Sequence, residues 1–175
     1  MGSCTSSCIS CISCTSKKNN EKSKSKEIFV EIDKPIKQIN IHKVPFYSFN
    51  GIVDYCEVCK CYDGDTIWIY RTINNKLYRI RCRLLGIDTA EMKSQNDEEK
   101  EFAINTRLYL VSLIYNKKVW IKFYDNDKYG RALCELFLTE KDMVNNNSVN
   151  QLLIDKGYAQ SYDGGTKKPF EQWDI

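Results

Sequence analysis

Between residues 52 and 85 the chain alternates apolar and polar side chains through three successive segments, interrupted only by two turn pairs. That pattern admits little besides a β-meander. Residues 52–62 read as a first strand, and Asp63-Gly64 as a tight turn. Thr66 to Arg71 resumes as a strand with Ile67 and Ile69 on one face. A polar turn at Asn74-Asn75 leads to a third strand across residues 76–85. Period-2 spacing puts Tyr78, Ile80, Cys82 and Leu84 on one side of it and Arg79, Arg81 and Arg83 on the other. Three arginines on one strand face point to an anionic partner.

Helical spacing takes over at residues 98–115, where Phe102, Ala103, Thr106, Leu110, Leu113 and Ile114 form one stripe. Asp97 is the expected cap, Glu98 and Glu99 suit the positive end of the dipole, and Asn116 with two lysines closes the helix. Residues 119–124 and 132–138 read as a second hairpin joined through Lys128-Tyr129-Gly130. Ser148-Val149-Asn150-Gln151 matches a capping box and opens a short helix ending near Gly157. The order of three strands, a helix, two strands and a helix predicts an α+β, mainly β fold. Its core is a five-stranded barrel of OB type with two or three helices. Residues 51–175 form this domain, 27–50 lead into it with a short strand, and 1–26 are a polar tail expected to be disordered.

Charge and cysteine usage narrow the function. The net charge is +3, and residues 1–26 hold five lysines against one glutamate, so the remainder carries −1. Phosphate binding by the body must therefore come from a local arrangement of charge. Nine cysteines without a secretory apolar stretch read as free thiols, including Cys56, Cys59 and Cys61 on the first strand; a metal cluster there is the less economical reading. No apolar run approaches the roughly 18 residues of a membrane-spanning helix. The single histidine, His42, lies upstream of the motif region, which disfavours serine hydrolases, cysteine proteases and histidine-paired ribonucleases.

Three short motifs carry the remaining chemistry: Asp63-Gly64-Asp65-Thr66, Arg83 through Glu91, and Asp127-Lys128-Tyr129-Gly130-Arg131. Asp65 and Asp88 suit a hard cation, with the Thr89 main-chain carbonyl as a third oxygen. None of the three motifs contains histidine or cysteine, which argues against zinc. Glu91 suits a general base, and Arg83 and Arg131 suit a phosphate, because the planar fork of arginine makes paired hydrogen bonds. Asp125-Asn126-Asp127 imitates the start of an EF-hand loop, but its twelfth position would be Leu136 and strands flank it.

In this order and at this spacing the motifs resemble the staphylococcal (thermonuclease-type) nuclease family, over roughly residues 52–165. The resemblance implies the same barrel and calcium-dependent hydrolysis of DNA, RNA or both. It also implies that Lys128 and Tyr129 contact a neighbouring phosphate, and it offers Tyr162 as a base- or phosphate-contacting tyrosine. The family's usual Asp-Thr-Pro-Glu reads Asp88-Thr89-Ala90-Glu91, so the proline that stiffens the loop is absent. That departure is the one feature favouring a rival reading, a non-catalytic OB-barrel module binding nucleic acid or protein.

Met1-Gly2-Ser3-Cys4-Thr5-Ser6 satisfies the N-myristoylation pattern, with Gly2 as acceptor. Cys4, Cys8, Cys11 and Cys14 follow among serines and threonines and read as S-acylation sites. A single myristoyl chain binds membranes only marginally, at about 10⁴ M⁻¹, and the cysteines or the downstream lysines supply a second signal. This start is similar to that of membrane-tethered calcium-dependent nucleases of plants; a low-complexity leader is the plainer alternative. The expectation is a monomeric nuclease on the cytosolic face of a membrane in a eukaryotic cell, or a cytoplasmic one without the acyl chains. A further reading makes the lipidated tail the main function and the barrel its adaptor.

Overall fold

The computed structural model describes residues 40–44 and 46–173. The expected tail, its acylation positions Gly2, Cys4, Cys8, Cys11 and Cys14, and most of the lead-in segment lie outside the described residues. The chain divides into Met1–Val44 and Pro45–Ile175. In the first unit the described residues form one 3₁₀ turn, Ile41–Lys43. The second unit holds the strands and the α-helices.

Five strands close into a barrel: β1 (Val53–Cys61), β2 (Thr66–Ile73), β3 (Lys76–Leu84), β5 (Lys118–Asn126) and β6 (Ala132–Phe137). Their order is β1-β2-β3-β6-β5. All pairings are antiparallel except β3 with β6, which run parallel through Cys82–Ala132 and Leu84–Cys134. The β2–β3 turn needs two residues in the left-handed region, and Asn74 (φ 49°) and Asn75 (φ 60°) adopt it, as their short polar side chains permit. Asp63-Gly64 behaves differently from the tight turn read from sequence. The connection runs from Tyr62 to Asp65, and Gly64 is required for room: a Cβ there would lie 2.6 Å from Thr106 Cγ2 and 3.0 Å from Thr89 Cβ.

Ile67, Ile69, Cys82, Leu84, Ile121, Phe123, Cys134 and Leu136 fill the barrel, each almost wholly buried. Phe49, ahead of the first strand, closes one end against Phe123 at a ring separation of 5.4 Å. No strand forms among residues 46–50, the described part of the second unit ahead of β1. Cys56, Cys59 and Cys61 are free thiols. Burial pushes the Cys56 thiol up to about 12 and the Cys61 thiol up to about 11, which favours their protonated form.

Helix α1 (Asp97–Ile114) buries Ala103, Thr106, Leu110 and Ile114 against the barrel. Its cap is Asn96 rather than the expected Asp97; the Asn96 side chain accepts from the Glu98 and Glu99 N–H groups. A short α2 (Glu140–Val144) opens on a reciprocal capping box between Thr139 and Asp142. In α3 (Val149–Asp155) Ser148 caps the Gln151 N–H, but the Gln151 side chain turns to Asp155 instead of completing the box expected there. Two-residue strands β4 (Ile87–Asp88) and β7 (Gln160–Ser161) pair beside the barrel mouth. None of the described helices is long and apolar enough to cross a membrane.

Candidate active site

The residues that matter sit where strands begin and end. Asp65 closes the β1–β2 connection, and Asp63 shapes it: Asp63 Oδ1 accepts from the N–H groups of Asp65 and Thr66. The Asp65 carbonyl then accepts the Leu84 N–H, fixing the loop to the end of β3. Arg83 occupies the last outward position of that strand, opposite Thr66. Asp88 is placed by β4, whose pairing with β7 sets it across from Gln160.

One guanidinium joins the two carboxylates. Arg83 donates to Asp65 Oδ2 at 2.6 Å and to Asp88 Oδ1 at 3.2 Å, and also reaches the Ile87 carbonyl. Both acids are buried, with 3% and 6% exposure. Burial pushes the Asp65 carboxyl up to about 7 and the nearby Asp63 charge adds to the rise, against the pull of Arg83 and Thr66.

The contacts continue in both directions. Thr66 Oγ1 donates to Asp65 Oδ1 at 2.8 Å and receives a longer contact, 3.4 Å, from Arg131. Arg131 is itself held by Asp127, which accepts its Nε at 2.6 Å and its main-chain N–H at 2.9 Å. On the other side Lys167 Nζ donates to Asp88 Oδ1 at 2.7 Å and to Glu91 Oε1 at 2.9 Å. An unbroken polar chain thus runs Arg131–Thr66–Asp65–Arg83–Asp88–Lys167–Glu91. The five charged side chains given roles from the motifs, Asp65, Arg83, Asp88, Glu91 and Arg131, lie on it with two connectors, Thr66 and Lys167, whereas Thr89 does not.

A cleft of about 900 Å³ opens along this chain, lined by Asp65, Arg83, Thr89, Glu91 and Arg131 from the network and motifs. Lys128, Tyr129 and Tyr162 complete its wall. Asp88 faces a smaller adjoining hollow of about 280 Å³; Thr89, Glu91 and Lys167 border both. Tyr129 is 70% exposed, with the Lys128 ammonium 5.2 Å and the Arg131 guanidinium 5.5 Å from its ring. The Tyr162 ring lies 6.0 Å from the Arg83 guanidinium, and its hydroxyl donates to the Gly165 carbonyl. Asp163 accepts the Gly165 N–H, forming part of the same turn.

Ala90 stands where stiffening by proline would be expected, and other contacts hold the loop. Ala90 is buried, the Glu91 N–H donates to Glu99 Oε1 of α1, and the Glu91 side chain is held by Lys167. Lys167 is in reach because the chain beyond β7 folds back over α1, where Phe170 and Trp173 pack on Phe102 at 5.5 and 6.2 Å. Lys167 is not among the residues singled out from the motifs. It lies 76 residues from Glu91 and no local pattern links the two.

A family model described as "Staphylococcal nuclease homologue" matches residues 81–174. The protein belongs to the staphylococcal nuclease family. An uncharacterized protein of Methanocaldococcus jannaschii is 32% identical to this family member over 143 residues, covering 67% of this chain and 66% of its own. A protein of Oryza sativa subsp. japonica named "Probable staphylococcal-like nuclease" is 33% identical over 98 residues, 55% of this chain and 23% of its own. An "Uncharacterized endonuclease" of Escherichia coli O157:H7 is 26% identical over 106 residues, 61% of this chain and 60% of its own. The chain thus spans about two-thirds or less of these relatives.

Proposed function

We propose that the protein is a calcium-dependent nuclease that hydrolyses phosphodiester bonds in DNA, RNA or both. The observation carrying this reading is the continuous polar chain from Arg131 to Glu91. It gathers two buried carboxylates, two guanidinium groups and a rim carboxylate along the cleft and the hollow that adjoins it. Membership of the staphylococcal nuclease family, and the nuclease names carried by the rice and E. coli relatives, support it.

The donor set suits a hard cation. Asp65 and Asp88 offer carboxylate oxygens, and we assign the Thr89 main-chain carbonyl as the third ligand. Among the described residues no three histidine, cysteine, aspartate or glutamate side chains converge on a metal position. The protein would therefore supply only part of the shell, with water and substrate phosphate filling the rest. Bound calcium would contribute positive charge that polarises the scissile phosphate.

The remaining work falls to the chain's own side chains. Arg83 is held by Asp65, Asp88 and the Ile87 carbonyl, and Arg131 by Asp127, which keeps both guanidinium groups at the cleft. They stabilise the non-bridging oxygens as charge builds at phosphorus; one such donor is typically worth about 10²–10³ in rate. The Glu91 carboxylate, exposed at the rim, accepts the proton of the attacking water, and Lys167 orients it. Lys128, Tyr129 and Tyr162 contact the nucleotide beside the cleaved bond.

We further propose that acylation at Gly2 and at Cys4, Cys8, Cys11 or Cys14 holds this monomeric enzyme at the cytosolic face of a membrane. The two proposals are tested separately. Single-stranded DNA and RNA should be degraded with calcium and spared with a calcium chelator; equal degradation in both would refute the calcium assignment. Mass spectrometry of the N-terminal peptide from eukaryotic cells should find acylated Gly2, and an unmodified glycine would remove the tether.

A further inference from the structure

The arginines of β3 continue past the cleft. Arg81 and Arg79 stand two and four residues before Arg83 on the same outward face, exposed to solvent. Strand geometry spaces such positions by about 7 Å, roughly the reach of one nucleotide in an extended strand. Across the sheet Arg81 pairs with Trp68 and Arg79 with Tyr70, and Lys60 of β1 pairs with Trp68 from the other side. Aromatic and cationic side chains therefore interleave along a surface that ends at Arg83.

Lys60 and Arg79 on this face meet aromatic rings and no acidic partner among the described residues. The Arg79 guanidinium lies 4.3 Å and the Lys60 ammonium 4.8 Å from the Trp68 ring, while Lys60 is also 5.6 Å from the Tyr62 ring. Among the described residues none of Lys60, Arg79 and Arg81 forms an ion pair. Glu57, opposite Tyr70, is the acid on the same face. Trp68 Nε1 is buried without a hydrogen-bond partner, alone in this respect among the described side-chain nitrogens and oxygens. Outside the tail the chain is close to neutral, so this concentration of positive charge is local.

We propose that the outer face of β1–β3, running from Lys60 and Trp68 through Tyr70, Arg79 and Arg81, is a track for a single-stranded flank of the nucleic-acid substrate. The proposal rests on the nuclease reading of the cleft and adds the form of its substrate. Guanidinium groups neutralise successive phosphates, while unstacked bases lie against the indole, the phenol and the guanidinium planes. A duplex keeps its bases stacked and offers such a face only its backbone, so it uses the charges and not the rings.

The test uses the full chain and two labelled probes, a fifteen-nucleotide oligothymidylate and a fifteen-base-pair duplex, with binding read by anisotropy in chelator. Joint Arg79→Gln and Arg81→Gln substitution should weaken oligothymidylate binding about tenfold. It should also flatten the salt dependence by about 1.4, two phosphates' worth on a single strand. Trp68→Ala should weaken it by a similar factor and Trp68→Phe much less, with circular dichroism verifying that each variant is folded. In calcium, the ratio of kcat/KM for the oligothymidylate to that for a thymidine dinucleotide should fall about tenfold in the arginine double variant. Unchanged binding and salt slope would overturn the track, as would a duplex bound as tightly and with the same dependence on Trp68. Failure of the wild type to cleave either substrate in calcium would instead count against the nuclease reading, leaving the binding result to stand on its own.

Discussion

Gly64 shows how a single hydrogen atom can position a carboxylate. Thr106 of α1 and Thr89 of the cleft loop both press on the place where a side chain would begin, so the Asp63–Asp65 loop is clamped between helix and site. Gly64→Ala should destabilise the fold by about 1–3 kcal/mol through overpacking, and move Asp65 off Arg83. Adding Thr106→Ser removes the methyl group that lies 2.6 Å away and should recover part of the melting temperature. No recovery would place the strain elsewhere. Asp127 makes a second residue-scale prediction. Burial raises its carboxyl, but hydrogen bonds from the Arg131 and Tyr129 main chain and from the Arg131 side chain outweigh that and hold it below the usual range. A depressed carboxyl stabilises the fold above its unfolded value, near pH 4, and loses that contribution as the pH falls through the folded value. The stability gap between wild type and Asp127→Asn should be constant above about pH 5 and close in acid. A gap that persists unchanged to pH 2 would contradict this.

At the scale of elements, the parallel junction of β3 and β6 depends on one buried amide. Asn150, projecting from α3, donates to the Leu85 and Cys134 carbonyls and accepts the Leu136 N–H. Asn150→Ala removes a partner from three main-chain groups at a buried position, of which the Cys134 carbonyl keeps the Leu85 N–H. It should cost about 2–3 kcal/mol in chemical denaturation; a loss below about 0.5 kcal/mol would mean water replaces the amide. Sequence reading placed Asn150 inside a capping motif and had no means to see this role, since its partners lie on other strands. The same limit explains what else was legible. The β1–β2–β3 meander, α1 and the β5–β6 hairpin show themselves through period 2 and period 3.6, which are local. β4 and β7 are two residues each, too short to carry a period, and the parallel closure leaves no mark on either strand alone. The helix α2 did leave one, in Thr139-Glu140-Lys141-Asp142, a box the structure completes and the reading of the sequence passed over.

Across the whole molecule, the barrel brings together residues from positions 65 to 167 that share no local sequence pattern. Asp65 precedes β2, Arg83 is the penultimate residue of β3, Asp88 lies on β4, Arg131 precedes β6, and Lys167 comes from the chain beyond β7. The five motif residues were legible because each combines a reactive group with a turn or strand end. Thr66 and Lys167 were not legible as connectors, because only closure of the sheet and the packing of Phe170 and Trp173 on Phe102 bring them in. The central claim is that Glu91 and Arg131, at opposite ends of this polar chain, act on one phosphorus atom. A double-mutant cycle on kcat for single-stranded DNA in saturating calcium tests it most directly, using Glu91→Gln, Arg131→Ala and the pair together. Each single change should lower kcat by about 10²–10³, and the double variant should fall little below the worse of the two, as expected of groups that act as a unit. Single variants that cleave at the wild-type rate, or losses that simply multiply, would contradict it.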